Sequence, residues 1–402
     1  MSRSVIIVGA GPAGLTAARV LREAGITDTL VLDRDVEPGG LPKYCGHFGF
    51  GLLDLFRPST GPAYAQRLCE RAAGVEIATG VTALAFEPGG LLVSGKHGLE
   101  RISARAVLLA TGTREKPRSA RLVSGTRPWG VTTTGAFQEM VYKGGIRPFE
   151  RPVIVGSELV SFSAFLTARH ARIRPVAMIE EEARITAPRP CDVLARLVFG
   201  TPVLTRARLD GIHGADRVEA VTVVHDGRRR EIICDGVIFT GQFVPEATLA
   251  RSSHIEIDAA TAGPVIDNLW RCSDPAFFAC GNVLRPVEHS AWASREGALA
   301  ALAILRSLEG RLPSGENTVV VRPGGLLKYI YPQRLVRGEP GAVRLYGRAR
   351  RQCRGQLLLL ADGRVVAMRR LNALPERRLT IDVPSGVLTD ASQLDAVLEA
   401  NP

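Results

Sequence analysis

One stretch near the start of the chain limits its fold more than any other. It reads SVIIVGAGPAGLTAARVLREAG and then TDTLVLDRD. Residues 5–8 form an unbroken apolar run, the pattern of a strand covered on both faces. Gly9, Gly11 and Gly14 follow directly, and Leu15, Ala18 and Leu21 then share one helical stripe that stops near Gly25. Residues 29–32 are a second apolar strand, ending at Asp33, nineteen residues beyond Gly14. The spacing predicts a complete β–α–β unit. Gly9 permits the tight turn, Gly11 lets the backbone approach a pyrophosphate with no Cβ in the way, and Gly14 lets helix and strand close together. The helix N-terminus offers N–H groups and a positive dipole end to phosphates. Asp33 is placed to accept hydrogen bonds from ribose hydroxyls. A glycine triplet alone is a weak signal; in this context, with its terminal acid, it is specific for a dinucleotide.

Two later segments bear on which dinucleotide. RAVLLATG at 105–112 reads as a strand ending in Ala-Thr-Gly. PAFFACGNVLRP at 275–286 reads as another, ending in Gly281-Asn282, and a small, apolar helical stretch follows at 290–308. In this order the chain resembles the two-dinucleotide-domain flavoproteins of the glutathione- and thioredoxin-reductase type. That resemblance implies FAD. The Ala-Thr-Gly end would close the first part of the FAD domain, the later strand end would reach the ribityl chain, and the next helix would point its N-terminus at the flavin pyrimidine. Asn282 stands where that superfamily carries Asp, and its amide keeps the capacity to hydrogen-bond a hydroxyl.

A second strand–turn–helix, PVIVGSELVSFSAFLTA at 152–168, carries a damaged fingerprint: Gly156, then Glu158 and Ser161 in place of the second and third glycines. Glu158 puts a side chain and a negative charge where a pyrophosphate would approach. The expectation is a pyridine-nucleotide fold that binds NAD(P) poorly or not at all. The alternative has Glu158 swinging aside and Glu180, at the end of the next strand, reading an NAD ribose. The segment closes with ICDGVIFTG at 233–241. The expected organisation is an FAD domain in two pieces, 1–116 and 243–312, with an NAD(P)-binding-like domain inserted at 117–242. After the PSGEN linker, short β-like runs punctuated by Gly and Pro predict a small antiparallel β domain at 318–402, with Asp362-Gly363 as a hairpin turn. The fold class is α/β: two Rossmann-like dinucleotide-binding domains plus the C-terminal β domain.

Composition excludes several other classes. With 402 residues, 46% hydrophobic and 23% charged, the chain is globular and not disordered. Of its net charge of +11, residues 318–402 supply +7, from 14 Lys+Arg against 7 Asp+Glu. No aromatic-interleaved basic motif or helix-turn-helix pattern accompanies this surplus. It reads as a solvated arginine-rich face or a contact surface for an acidic partner protein, not as a nucleic-acid site. No run approaches the ~18 apolar residues of a transmembrane segment, and the first residues lack the pattern of a secretory signal. Seven scattered cysteines form no CxxC pair and no metal-ligand spacing, so the expectation is a cytoplasmic protein with reduced thiols and no metal.

The loop after the second strand, PGGLPKYCGHFGFG, holds a single Cys45 with His47 two residues on. One thiol cannot cycle through an intrachain disulfide, so disulfide reduction is not expected. Cys45 and His47 are the candidate catalytic residues, as a flavin-contacting thiol or proton relay. The competing reading packs Cys45 as a small apolar residue and bonds His47 to backbone. Glu288 and His289, which precede the helical stretch at 290–308, and Trp292 on it divide in the same way between cofactor contact and cap, surface or core roles.

Together GGLPKYCGHFGFG, TGPAYAQRL, SGTRPWGVTTTGAFQ and FFACGNVLRPVEHSAWASREG resemble a narrower family. It comprises the FAD-binding subunits of heteromeric bacterial dehydrogenases, among them those of opine and hydroxyproline dehydrogenases, of hydrogen cyanide synthase, and of flavoproteins paired with a glycerol-3-phosphate dehydrogenase-like partner. The resemblance covers about residues 3–312, and YPQRL is similar to the tail of the glycerol-associated branch. It implies FAD contacts at Gly9, Gly11, Pro12, Ala13, Gly14, Asp33, Arg34, Gly40, Val81, Thr111, Gly112, Gly281, Asn282 and Ala291. It also implies a second flavoprotein subunit, which oxidises an amine, amino acid or polyol-type substrate, and in some relatives a small iron–sulfur subunit. Two departures stand out. Only Cys353 occupies the region where amine-oxidising relatives carry a cysteine-rich iron–sulfur module, and Glu158 interrupts a fingerprint that glycerol-branch relatives keep. A self-contained NAD(P)H-dependent flavin reductase and a scaffold with structural FAD are the alternatives.

Overall fold

The computed structural model describes every residue except Met1, Pro88, Pro340 and Pro402. The chain divides into two compact units. The first comprises Met1–Gly40, Ala65–Thr113 and Pro245–Pro402; the second comprises Leu41–Tyr64 and Arg114–Val244.

In the first unit, β1 (Ser2–Val8), α1 (Pro12–Glu23) and β2 (Thr29–Asp33) form the predicted β–α–β element. β1 lies at the centre of a seven-stranded sheet. It pairs in parallel with β2 on one side and with the strand Gly98–Leu109 on the other. The register sets Val8 beside Leu32 and Leu109, and the strand Phe277–Ala279 pairs Ala279 with Leu109. Four strands therefore end at one edge. Their following turns, which carry Gly9, Asp33, Thr111 and Gly281, share the carboxyl edge where open α/β sheets bind ligands. The core beneath is aliphatic and aromatic, with Ile6, Leu30, Val107 and Phe277 almost fully buried. The helical stretch expected at 290–308 is the helix Ser290–Leu308.

The C-terminal segment of this unit forms a five-stranded and a three-stranded sheet around Val319, Leu357, Leu394 and Leu398. The hairpin at Asp362-Gly363 is present, with φ of 47° and 82° at the two residues. The two positive angles match the twist of the strands that the turn joins. The expectation of a wholly antiparallel domain needs one correction, because Thr318–Gly325 and Gln393–Ala400 pair in parallel.

The second unit contains a five-stranded parallel sheet and a four-stranded sheet. Strand Pro152–Val155, helix Leu159–His170 and strand Ala177–Ile179 form its β–α–β element. The segment SGTRPWGVTTTGAFQEMVY resolves into short strands Ser124–Gly125 and Val131–Thr133 and the helix Thr134–Tyr142.

Candidate functional site

The site is built first from backbone. Gly9 has φ of +110°, and a Cβ there would lie 2.5 Å from the Ala110 carbonyl oxygen. A Cβ on Gly14 would lie 1.9 Å from the Gly9 oxygen. These two glycines are required by packing of the chain on itself. Gly11 is different. It is the N-cap of α1 with an ordinary φ of −84°, and the nearest atom to a Cβ there is the Gly40 Cα at 3.8 Å. Nothing in the described chain fills that space, and a Cβ would. The first-turn N–H groups, which helix geometry leaves without carbonyl partners, are the donors that a pyrophosphate at a helix N-terminus would take up.

The remaining predicted cofactor residues surround this turn in the first unit. Pro12 begins α1 and Ala13 is buried beneath it. Asp33 accepts hydrogen bonds from the Ala10 N–H (2.7 Å) and the Asp35 N–H (2.9 Å). Each carboxylate oxygen retains a second lone pair. Gly40, with φ of +64°, packs against Gly11. Val81 donates its N–H to the Asp33 carbonyl (2.9 Å). Arg34 is exposed. The Thr111 hydroxyl donates to the Glu246 carbonyl (2.7 Å), and Gly112 accepts from the Glu246 N–H (2.9 Å). Gly281, with φ of +77°, lies against Ala13, and Ala291 sits in the first turn of Ser290–Leu308. Asn282 also bonds within its own turn and retains a second N–H and a second lone pair. Its amide donates to the Glu288 carbonyl and accepts from the Glu288 N–H, both at 2.9 Å, so it closes the turn on itself.

Sequence reasoning passed over the buried charges beside that turn. Arg285 is fully buried. It donates to the Gly281 carbonyl (2.5 Å), pairs with Glu296, and lies 4.6 Å over the Tyr331 ring. Burial alone would push its guanidinium pKa down; the Glu296 carboxylate together with Tyr331, Glu288 and Tyr329 outweighs this and the pKa is raised. In the sequence Arg285 and Glu296 stand among other charges, Glu288 and Arg295, and nothing there marks them as buried.

Cys45 and His47 belong to the second unit. The Cys45 thiol donates to the Leu41 carbonyl (3.5 Å) and the Gln138 side-chain oxygen (3.4 Å). His47 donates through Nδ1 to the Phe48 carbonyl (2.9 Å). Burial pushes the Cys45 pKa up to about 12, with the Gln138 hydrogen bond opposing and Glu115 adding to the rise. Burial lowers the His47 pKa and raises that of Glu115, whose Oε2 accepts from the Gly135 N–H (2.8 Å) at the start of Thr134–Tyr142. His47 Nε2, Gln138 Nε2 and Glu115 Oε1 are buried with no partner among the described residues. Buried polar atoms of this kind are rare unless water or a ligand meets them. Among the described residues no group of three or more His, Cys, Asp or Glu is placed to hold a metal.

One prediction follows for Cys45. Relative to an unperturbed thiol its thiolate is about a thousand-fold scarcer at pH 7.5, and the higher nucleophilicity of the more basic sulfur recovers part of this. Its labelling by an aromatic disulfide should therefore be roughly forty-fold slower than that of a free thiol, rising with pH up to about 12. Mass-resolved labelling rates of the wild type against Cys45→Ser check this, and a fast reaction at pH 7.5 would refute it.

The second β–α–β element reproduces the first in backbone. Gly156 has φ of +108°, and its N–H bonds the Ile179 carbonyl as the Gly9 N–H bonds that of Leu32. Glu180 ends its strand as Asp33 does and accepts from the N–H two residues on, Glu182 (2.8 Å); it also accepts from the Ser157 hydroxyl. Glu158 takes the N-cap position that Gly11 holds in α1. Its carboxylate has turned to accept from the Gln242 N–H (3.1 Å) and lies against Gly241, while Arg121 donates to the carbonyls of Thr240 and Gly241 (3.1 and 2.8 Å). The expectation that this carboxylate bars NAD(P) thus loses part of its ground: the side chain is drawn aside by a backbone donor, and only its Cβ remains at the turn.

Two glycine-turn β–α–β lobes, one with an open cradle at its helix N-terminus, define a nucleotide-dependent oxidoreductase of the thioredoxin- and glutathione-reductase fold, with added C-terminal β sheets. The chain belongs to the pyridine nucleotide-disulphide oxidoreductase family, which it matches over residues 3–297 and whose members are FAD-dependent oxidoreductases. It is 30% identical over 188 residues to an opine oxidase subunit of Rhizobium meliloti (strain 1021), a match that takes in 44% of this chain and 38% of that one. It is 27% identical to the ferredoxin–NAD(+) reductase subunit of the benzene 1,2-dioxygenase system of Pseudomonas putida, over 72% of this chain and 69% of that one. The chain thus matches little more than a third of the opine oxidase protein's length. The T. acidophilum thioredoxin reductase structure superposes with a TM-score of 0.65 at 23% identity, covering 76% of this chain and 98% of that one. No helix among the described residues is long and apolar enough to cross a membrane.

Proposed function

We propose that this chain is the electron-transferring FAD subunit of a heteromeric, cytoplasmic dehydrogenase acting on an amine, amino acid or polyol-type substrate. A second flavoprotein subunit carries out the substrate oxidation, and a small iron–sulfur subunit completes the complex in some relatives. The observation that carries the partnership is the loop that holds Cys45 and His47. Within nine residues it exposes Phe48 (72%), Leu52 (58%), Leu53 (65%) and Phe56 (88%). Large apolar side chains displayed this densely mark a surface that another protein covers. The loop's single cysteine removes the dithiol that would make the chain a disulfide reductase.

On this reading residues 1–116 and 243–312 hold FAD. Gly11 and the first turn of α1 bind the pyrophosphate, Asp33 the adenosine ribose, and Gly281 with the first turn of Ser290–Leu308 the flavin side. Bound FAD supplies the redox chemistry through its isoalloxazine. The chain orients it, and burial holds the Cys45 thiol and the His47 imidazole in their neutral forms.

Copurification at native expression level tests the proposal. The expected eluate absorbs near about 450 nm and holds a second flavoprotein in stoichiometric amount. Leu53→Asp/Phe56→Asp should keep the flavin and lose the partner. A monomer that turns over a substrate efficiently by itself would refute it.

The turned Glu158 carboxylate supports a second reading, a self-contained NAD(P)H-dependent flavin reductase. Anaerobic NADH or NADPH would then bleach the flavin band within seconds.

A further inference from the structure

The C-terminal β sheets converge on one short segment of the first unit. Residues 281–288 lead from the strand Phe277–Ala279 into the helix Ser290–Leu308. Seen from the turn itself, it is closed by local bonds: the Asn282 amide to both backbone groups of Glu288, and Gly281 gripped at its N–H by Glu296 (3.0 Å) and at its carbonyl by Arg285 (2.5 Å). Seen from the C-terminal sheets, three consecutive residues of the turn, Pro286, Val287 and Glu288, are held. Tyr329 donates its hydroxyl to the Pro286 carbonyl (3.2 Å) and Tyr331 to Glu296 (3.3 Å). Arg348 donates to the Val287 carbonyl and to the Glu288 carboxylate, both at 2.9 Å. Arg378 stands 3.7 Å from the same carboxylate and 3.6 Å over the Trp292 ring. Tyr329, Tyr331 and Glu288 are buried. Four side chains from the C-terminal strands and a connecting loop thus meet one eight-residue turn and the helix that follows it.

Packing of a small domain does not require this. An apolar seam would stabilise the contact at lower desolvation cost, since buried charges must be paired and hydrogen-bonded merely to break even. What directional bonds add is geometry. Arg348 fixes a carbonyl and a carboxylate on consecutive residues, immediately before the helix turn that carries Ala291.

We propose that the C-terminal β domain is a clamp whose Arg348 and Tyr329 act as positioning residues for the turn 281–288 and through it for the flavin. The inference rests on the FAD reading above. Removing Arg348 frees the turn and leaves the Glu288 carboxylate less opposed, which lowers flavin affinity and makes the flavin harder to reduce.

The test uses the full chain as wild type, Arg348→Ala, Arg348→Lys and Arg344→Ala. The last breaks an exposed pair with Asp382 on the same domain and serves as control. In apoprotein, amide hydrogen exchange over 281–288 should quicken at least ten-fold in Arg348→Ala. FAD affinity, from quenching of flavin fluorescence, should fall about ten-fold, and the midpoint potential of the bound flavin should move to more negative values. Arg348→Lys should recover part of each effect, and Arg344→Ala should change none. Unchanged exchange in Arg348→Ala overturns the clamp. Faster exchange with wild-type affinity and potential overturns its link to the flavin. Wild-type apoprotein that binds no FAD overturns the reading underneath, with the exchange result still deciding the clamp. Should Arg348→Ala fail to fold, Tyr329→Phe, which deletes one hydroxyl, gives the same signs at two- to five-fold.

Discussion

Arg285→Ala should lower the unfolding free energy by about 3–5 kcal/mol, the usual result of breaking a buried ion pair from one side. The guanidinium is fully buried, pairs with Glu296, caps the Gly281 carbonyl and lies over the Tyr331 ring. Without it, Glu296 keeps, among the described residues, the hydrogen bonds from the Gly281 N–H and the Tyr331 hydroxyl. A carboxylate so placed is forced toward its neutral form. The pH dependence follows from the sign of that shift. Burial already raises the Glu296 pKa against the opposing pull of Arg285, and removing Arg285 raises it further. A carboxyl whose folded pKa lies above its unfolded value is favourable to the fold below the unfolded pKa and loses that contribution as pH rises through the folded one. The variant should therefore be closer to wild type near pH 5 than at pH 8. Removing both charges, as Arg285→Met/Glu296→Leu, should recover more than half of the loss, because neither is then left unpaired. Urea melts of the wild type and both variants at the two pH values decide it. A single variant as stable as wild type at pH 8 would refute the account.

How much of this was legible in the sequence depends on whether the constraint was local. The glycine turn was legible because Gly9 and Gly14 answer to backbone atoms within the same motif or at the adjacent strand end, and only glycine fits there. The Asp362-Gly363 hairpin was legible for the same reason. The parallel pairing of Thr318–Gly325 with Gln393–Ala400 was not, since two strands that distant carry no periodicity stating their direction. Glu158 was identifiable as the misfit in its fingerprint, yet the turn of its carboxylate depends on the Gln242 N–H, 84 residues away. The two bonds that Asn282 makes to Glu288 were not legible either, since they depend on how the turn closes. Arg285 and Arg348 read as ordinary loop and strand charges. Their burial comes from aromatic and acidic partners that only the tertiary fold assembles.

The same backbone logic separates two substitutions that look alike in sequence. Gly14→Ala should destabilise the first unit by about 3 kcal/mol or more, because a Cβ 1.9 Å from the Gly9 oxygen meets backbone, which cannot rotate away, and overpacking of this kind is costly. Gly11→Ala should cost no more than about 1 kcal/mol, the scale of an altered N-cap. Its φ is ordinary and its nearest neighbour is 3.8 Å away. Yet Gly11→Ala should weaken FAD binding at least a hundred-fold, about 2.8 kcal/mol, because the new methyl occupies the space at the helix N-terminus that the pyrophosphate needs. The expected pair of results is a Gly14→Ala protein that melts early, and a Gly11→Ala protein that melts close to the wild-type apoprotein and binds added flavin at least a hundred-fold more weakly. Thermal melts of the apoproteins and flavin titrations of each measure both. A Gly11→Ala protein that takes up FAD with wild-type affinity would place the pyrophosphate somewhere other than this turn.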